Sequence, residues 1–402
     1  MNASTKLLKQ KKKGKAEKLH IALVSTYLPT QCGIAKFTYS LQNSLLHMTN
    51  RVNLQIMRMV VPDDKPLKDS RIHPIKKNER ESYLEAAEFI NNSNIEVVNL
   101  QHEFGIFGGT WGSYVLDFMV NVRKPIVTVL HSLVPNQSGE RLEVFKKICE
   151  LSEKVIVMVP LRSKMMEEKY DLEYSDKVIY IPHGVPNIEG MSKEYSKKRL
   201  GLIGRYVMLS FGLISSGKGF EYAIDAVPDI IKHHHNFVYV IIGRTHPKVK
   251  KVEGDAYLNK LKERVRKLGL QNHVRFIGKF FQSEQELSRC ILVGDIFVAP
   301  YLAKNQISSG TLVYAKAHKM CIITTSFTHA KHEISERHGY LVKHKNSKMI
   351  VKAVNSLLDN PSRMKAMQEN AYRSVKVKQW PKVAARYLEL FREVISEQSG
   401  NP

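Results

Sequence analysis

The stretch PYLAKNQISSGTLVYAKAHK, residues 300–319, decides how the chain is read. A mostly apolar segment, Asp295-Ile-Phe-Val-Ala299, runs into it, and small polar residues follow at Ser308, Ser309 and Gly310. Helix formers then run from Thr311 to His318. The pattern predicts a buried strand, a turn and a helix N-terminus. The first-turn N–H groups of a helix have no intrahelical partner and carry a partial positive charge, so such an end suits a phosphate. Ser-Ser-Gly before a helix also serves as a plain cap, and at this point both readings stand.

Working outward, the same rhythm fills the chain. Short apolar runs predict strands at Leu19–Ser25, Leu54–Val61, Ile95–Leu100, Ile126–His131, Val155–Val159 and Val178–Pro182. Helical patterns at Ala35–His47, Arg80–Asn91 and Gly139–Leu151 lie between several of them. The alternation then restarts, with strands expected at Tyr206–Phe211, Phe237–Ile242, His273–Ile277, Asp295–Ala299, Cys321–Thr325 and Gly339–Val342. Helices are expected at Phe220–His233, Asp255–Leu268 and Lys348–Leu358. Alternating strands and helices give α/β domains with parallel sheets, here two Rossmann-like halves over residues 19–185 and 196–375. Such a pair leaves a cleft at the C-terminal ends of its strands. Beyond a break at Trp380-Pro381, apolar residues at 383, 387, 391, 394 and 395 form one stripe on a final helix within residues 376–402.

Composition bounds the function. The 402 residues suffice for two domains, and the 43% hydrophobic content supports real cores. No apolar run is long enough to span a bilayer, and the N-terminus lacks a signal-peptide core, so a cytoplasmic protein is expected. Cys32, Cys149, Cys290 and Cys321 show no paired spacing and read as reduced thiols, with no metal site. Lys plus Arg exceed Asp plus Glu by 24, and residues 1–18 form a Lys-rich tail expected to be disordered. Such charge suits phosphorylated small molecules, anionic lipid or nucleic acid. No zinc-finger spacing or aromatic RNA-binding signature accompanies it, so no nucleic-acid partner is expected.

Two Rossmann-like halves, a glycine after the first strand, Phe211-Gly-Leu-Ile-Ser-Ser-Gly-Lys-Gly219, and the strand–turn–helix at 295–318 together resemble the GT-B glycosyltransferases. The nearest likeness is to family 4, the retaining group that uses nucleotide sugars, and it spans about residues 19–398. The resemblance implies a donor held mainly by the second domain, a final helix that crosses back to the first, and no metal or other cofactor beside the nucleotide-sugar co-substrate.

It also implies roles. Lys218 matches the lysine that meets the donor diphosphate; read by spacing alone, it equally suits an exposed loop lysine. The family's arginine five residues earlier is Leu213 here, and Arg244 is the candidate replacement. Ser308, Ser309, Gly310 and Thr311 offer the second anion site. Aligned on Tyr-Ala, the family's two glutamates fall on Gln306 and Tyr314, expected at the donor sugar and the ribose. Gly33 matches the loop glycine of the first domain, and His131 a histidine facing the transferred sugar. His102 and Glu103 are expected on the acceptor side, Gly278 beside the base, and Glu333 near the nucleotide. The expected acceptor is a glycan or a lipid-linked hydroxyl, with possible peripheral contact to anionic membrane. Loss of both acids at 306 and 314 also fits a homologue that binds without turnover. Which sugar moves stays open, with GDP-mannose and UDP-sugars both in play and mannose slightly favoured.

Overall fold

The computed structural model describes residues 18–133, 138–160, 175–304 and 309–399. Gln306 and Ser308 therefore lie outside the described residues. The first sheet has seven strands: β1 Leu19–Ser25, β2 Val52–Val60, β3 Ile72–Lys76, β4 Val97–His102, β5 Ile126–Leu130, β6 Lys154–Val157 and β7 Val178–Tyr180. Their order is β3-β2-β1-β4-β5-β6-β7, and every pairing is parallel. The second sheet has six: β8 Tyr206–Phe211, β9 Phe237–Ile242, β10 Val274–Ile277, β11 Ile296–Ala299, β12 Cys321–Thr325 and β13 Gly339–Val342. It runs β10-β9-β8-β11-β12-β13, also all parallel.

Period-two alternation divides each strand between two cores. In β1, Leu19, Ile21 and Leu23 face one core while Ala22 and Val24 face the other. In β8, Met208 joins one core and Val207, Leu209 and Phe211 the opposite one. Covering both faces is what makes the strands apolar throughout. Each fully buried Leu, Ile or Val contributes roughly 1.5–3 kcal/mol of transfer free energy.

The final helix, Trp380–Ser399, lies in the first domain's core rather than on the second. Val383, Tyr387, Phe391 and Val394 pack there with Ile21, Leu23, Phe37 and Leu41. The break before it falls at Lys376–Gln379, ahead of the expected Trp380-Pro381, because proline is tolerated in a first helical turn, where its missing N–H has no acceptor. Two backbone hydrogen bonds tie this return to the outward crossing: Val185 N–H to Lys378 O at 2.9 Å and Trp380 N–H to Val185 O at 3.0 Å.

Candidate active site between the two sheets

Each sheet changes the side on which strands are added once, between β1 and β4 and between β8 and β11. Loops part at such a switch point, and open α/β sheets bind ligands in the crevice so formed. In the second sheet the parting segments are residues 212–219 after β8 and the described residues 300–304 and 309 after β11. Lys218 and the start of the Gly310–Ala317 helix thus arrive together by topology.

The two loops are stitched closely. Leu302 N–H donates to Gly217 O at 3.0 Å. Gly219 adopts φ +62, and a Cβ there would lie 2.3 Å from Pro300 O, so only glycine fits. Lys218 Nζ rests 4.1 Å from the centroid of Tyr301. The Tyr301 hydroxyl meets Thr311 Oγ1 at 2.9 Å, and Thr311 Oγ1 is 3.1 Å from Ser309 Oγ. Ser309 caps the helix, accepting from Leu312 N–H at 3.4 Å, while its own N–H donates to His329 Nδ1 at 2.8 Å. With those two amides engaged, Gly310 and Thr311 supply the remaining first-turn donors among the described residues. An ammonium, two hydroxyls and a helix N-terminus so arranged can hold a diphosphate.

Arg244 leaves the end of β9 and its Nε donates to Gly278 O at 3.0 Å, which brings those two expected residues together on the exposed edge beside the crevice. In the first domain Gly33 opens the Gly33–Met48 helix instead of lying in a loop, because Cys32 adopts the extended N-cap conformation. Nothing lies within 4 Å of a Cβ built there, so this helix start is open to a ligand.

His131 follows β5. Its Nε2 donates to Gln101 Oε1 at 2.8 Å, since the amide nitrogen of Gln101 is used toward Asn99 Oδ1 at 2.5 Å. Phe37 meets the imidazole edge-on at 4.8 Å. Burial, then the neighbouring His183 and His102, push its pKa down to about 3, so the ring is neutral and acts as a hydrogen-bonding group.

The side chains of four expected contacts are buried or engaged by the protein itself. His102 is fully buried beneath Phe104 and Phe107, and neither ring nitrogen has a hydrogen-bond partner among the described residues. Burial holds its pKa near about 3, and it presents nothing to an acceptor. Glu103 caps the Phe104–Ile106 turn, accepting from Gly105 N–H at 2.8 Å. The Tyr314 hydroxyl, expected at a ribose, donates instead to Glu284 Oε1. That same oxygen accepts from Trp380 Nε1 at 3.0 Å and Ser40 Oγ at 3.2 Å. Burial and Glu284 together raise the Tyr314 pKa well above its usual value. Glu333 is buried, 3.0 Å from Lys316 Nζ and also paired with Lys378. Burial alone would raise its pKa, but His329, Lys316 and Lys378 hold it well below the carboxylate range.

Sequence reading passed over His183, Tyr301 and Glu284. His183 stands edge-on to Phe37 and Tyr314, and its Nε2 lies 3.0 Å from where a Gly310 Cβ would be. The available signal was positional: like His131, it follows a strand's C-terminal end. Tyr301 carried the same signal after β11.

Residues 192–374 match the family of glycosyl transferases group 1. That match covers 183 of the 402 residues, all of them in the second half. Spore coat protein SA of Bacillus subtilis (strain 168) is 26% identical over 207 residues, half of this chain, and the match spans 52% of that protein's length. Among solved structures, sucrose-phosphate synthase from Thermosynechococcus elongatus superposes with a TM-score of 0.76 at 16% identity, covering 94% of this chain and 100% of that one. A glycosyltransferase from Rickettsia africae ESF-5 gives 0.72 at 18% identity, over 94% of this chain and 99% of that one. HepE of Anabaena, solved with UDP and glucose, gives 0.70 at 12% identity over 93% and 100%. These likenesses establish the GT-B architecture of the chain.

Proposed function

We propose that the second domain works with the first as a retaining glycosyltransferase, moving a hexose from a nucleoside diphosphate to a hydroxyl acceptor. The observation that carries the reading is the convergence of Lys218, Tyr301 and Thr311 at the switch point of the second sheet. The anomeric carbon–phosphate oxygen bond breaks as the acceptor oxygen bonds to that carbon from the same face. The acceptor's proton passes to the departing diphosphate. Lys218 and the first-turn amides meet the charge that builds on that diphosphate, so this scheme draws on no metal. Neutral His131 would hold a sugar hydroxyl from the opposite domain. HepE was solved with UDP and glucose, which supports a UDP-hexose as donor, with GDP-mannose as the second candidate. Among the described residues no helix is long and apolar enough to cross a membrane, so contact with a lipid-linked acceptor would be peripheral.

One observation favours a second reading, a nucleotide-sugar-binding protein without turnover: Tyr314 stands where the family has an acid and is held by Glu284 and Trp380. A thermal-shift panel of nucleotide sugars, followed by assay of donor hydrolysis and transfer, separates the two. Lys218→Ala is expected to lower turnover by about 100-fold or more, while leaving the melting temperature near wild type. Unchanged turnover in that variant would remove Lys218 from the site.

A further inference from the structure

A second cationic site lies beside the first, built from both domains. Lys77 follows β3, and its Nζ donates to Gly105 O at 2.7 Å. Lys248, in the Pro247–Glu253 helix of the second domain, reaches the same oxygen at 3.0 Å. Two ammonium groups sharing one oxygen lie within about 6 Å of each other. A carbonyl dipole neutralises neither, and one ammonium would be enough to join the domains there. Burial and the charge of Lys248 lower the Lys77 pKa, with Glu103 opposing them. The Glu103 carboxylate accepts from Gly105 N–H through one oxygen and keeps its charge beside both lysines, so it offsets one ammonium and leaves the cluster with a net positive charge. The carboxylate of Asp63 pairs with Lys251 instead, at 3.2 Å. His246 caps the Lys248 helix, and its backbone N–H donates to Ile214 O at 2.9 Å in the loop that carries Lys218, so the lysine pair adjoins the proposed diphosphate site.

We propose that Lys77 and Lys248 bind a phosphate group carried by the acceptor, so that the enzyme's acceptor class is a phosphorylated hydroxyl compound. The site rests on the glycosyltransferase reading for its role, and on the lysine geometry alone for its anion. A phosphate offers several oxygens to two ammonium groups at this separation, where a carbonyl offers one. Because one lysine comes from each domain, the acceptor's phosphate draws the cleft together as it binds. The reacting hydroxyl is thereby held next to the donor with water excluded.

The test uses inorganic phosphate titrated calorimetrically into the full chain carrying Lys218→Ala, which cripples the neighbouring donor site. Binding is expected to persist in that background and to weaken at least tenfold on adding either Lys77→Gln or Lys248→Gln. Lys248 is exposed and Lys77 only half-buried, so both variants should fold, with melting as the control. Phosphate affinity indifferent to both changes overturns the proposal. So does a tenfold loss of nucleoside diphosphate affinity when the two changes are made in the wild-type background, since the pair would then belong to the donor. Competition by hexose 6-phosphate supports a soluble acceptor, competition by phosphatidylinositol vesicles a lipid one, and competition by neither overturns the acceptor assignment. Failure of the glycosyltransferase reading shows separately, as no nucleotide-dependent stabilisation of the wild type.

Discussion

At Gly219 a single missing methyl group lets the lysine loop lie against Pro300. An alanine there would face both the left-handed backbone and a carbonyl oxygen 2.3 Å from its Cβ. Gly219→Ala is expected to cost about 1–3 kcal/mol and to lower turnover further than the stability loss explains, read by denaturant melts beside kinetics. Lys36 gives a pH signature of its own. Burial lowers its pKa to about 8, with Glu284 and Glu286 opposing the shift. The folded chain therefore binds fewer protons than the unfolded one between about 8 and 10.5, and stability rises with pH across that window. Lys36→Met should raise stability at neutral pH and flatten the rise; an unaltered slope would contradict it. At this scale sequence shows residue type and order but not direction. Neighbours on a strand point to opposite faces, so once Gln101 turns toward His131, His102 must turn away under the two phenylalanines. Lys218 was singled out only through the resemblance, since spacing alone equally suited an exposed loop lysine; the close approach of Gly219 to Pro300 that seats its loop depends on a contact about 80 residues away. Glu333 was not, since its partner Lys378 is distant in sequence.

Among the elements, five strands were read to the residue: β1, β8, β9, β12 and β13 begin and end where expected. The strand β3 was missed because Ile-His-Pro-Ile-Lys has little apolar content, as an edge strand paired only to β2 can afford. The Pro361–Val375 helix was passed over for the same reason, its buried face being limited to Met364, Met367, Ala371, Tyr372 and Val375. Elements also communicate through Glu333. It joins the Gly310–Ala317 helix, through Lys316, to the returning strap, through Lys378. His329 links it onward to the Ser309 amide. Glu333→Gln would leave the buried Lys316 and the partly buried Lys378 short of a countercharge, and a loss of about 3–5 kcal/mol is expected in urea melts. A loss below about 1 kcal/mol would show the network to be solvated.

Across the whole molecule, His102 and His318 are buried and His131 and His183 partly so, and desolvation lowers the pKa values of all four to about 3 or 4. Depressed values mean the stability is complete above the ordinary histidine pKa and is lost as pH falls through the folded values. Unfolding near pH 5 should take up roughly four protons, a slope of about 5 kcal/mol per pH unit. Urea midpoints measured from pH 7 down to 4 should fall steeply; a flat profile would place these rings in water. Two of the four, His131 and His183, meet Phe37 at 4.8 and 5.1 Å, and Phe37 in turn meets Trp380 of the returning helix at 5.1 Å. Acid should therefore loosen the hinge together with the fold.

The strap that ends in Trp380–Ser399 has a consequence for how the protein is made. A ribosome delivers the first sheet early and the helix that covers one of its faces last. For most of translation that greasy face stays bare, or is shielded by a chaperone, while the second half folds on its own. Nascent chains stalled before residue 380 should thus stick and be digested in their first half, and resist digestion in their second.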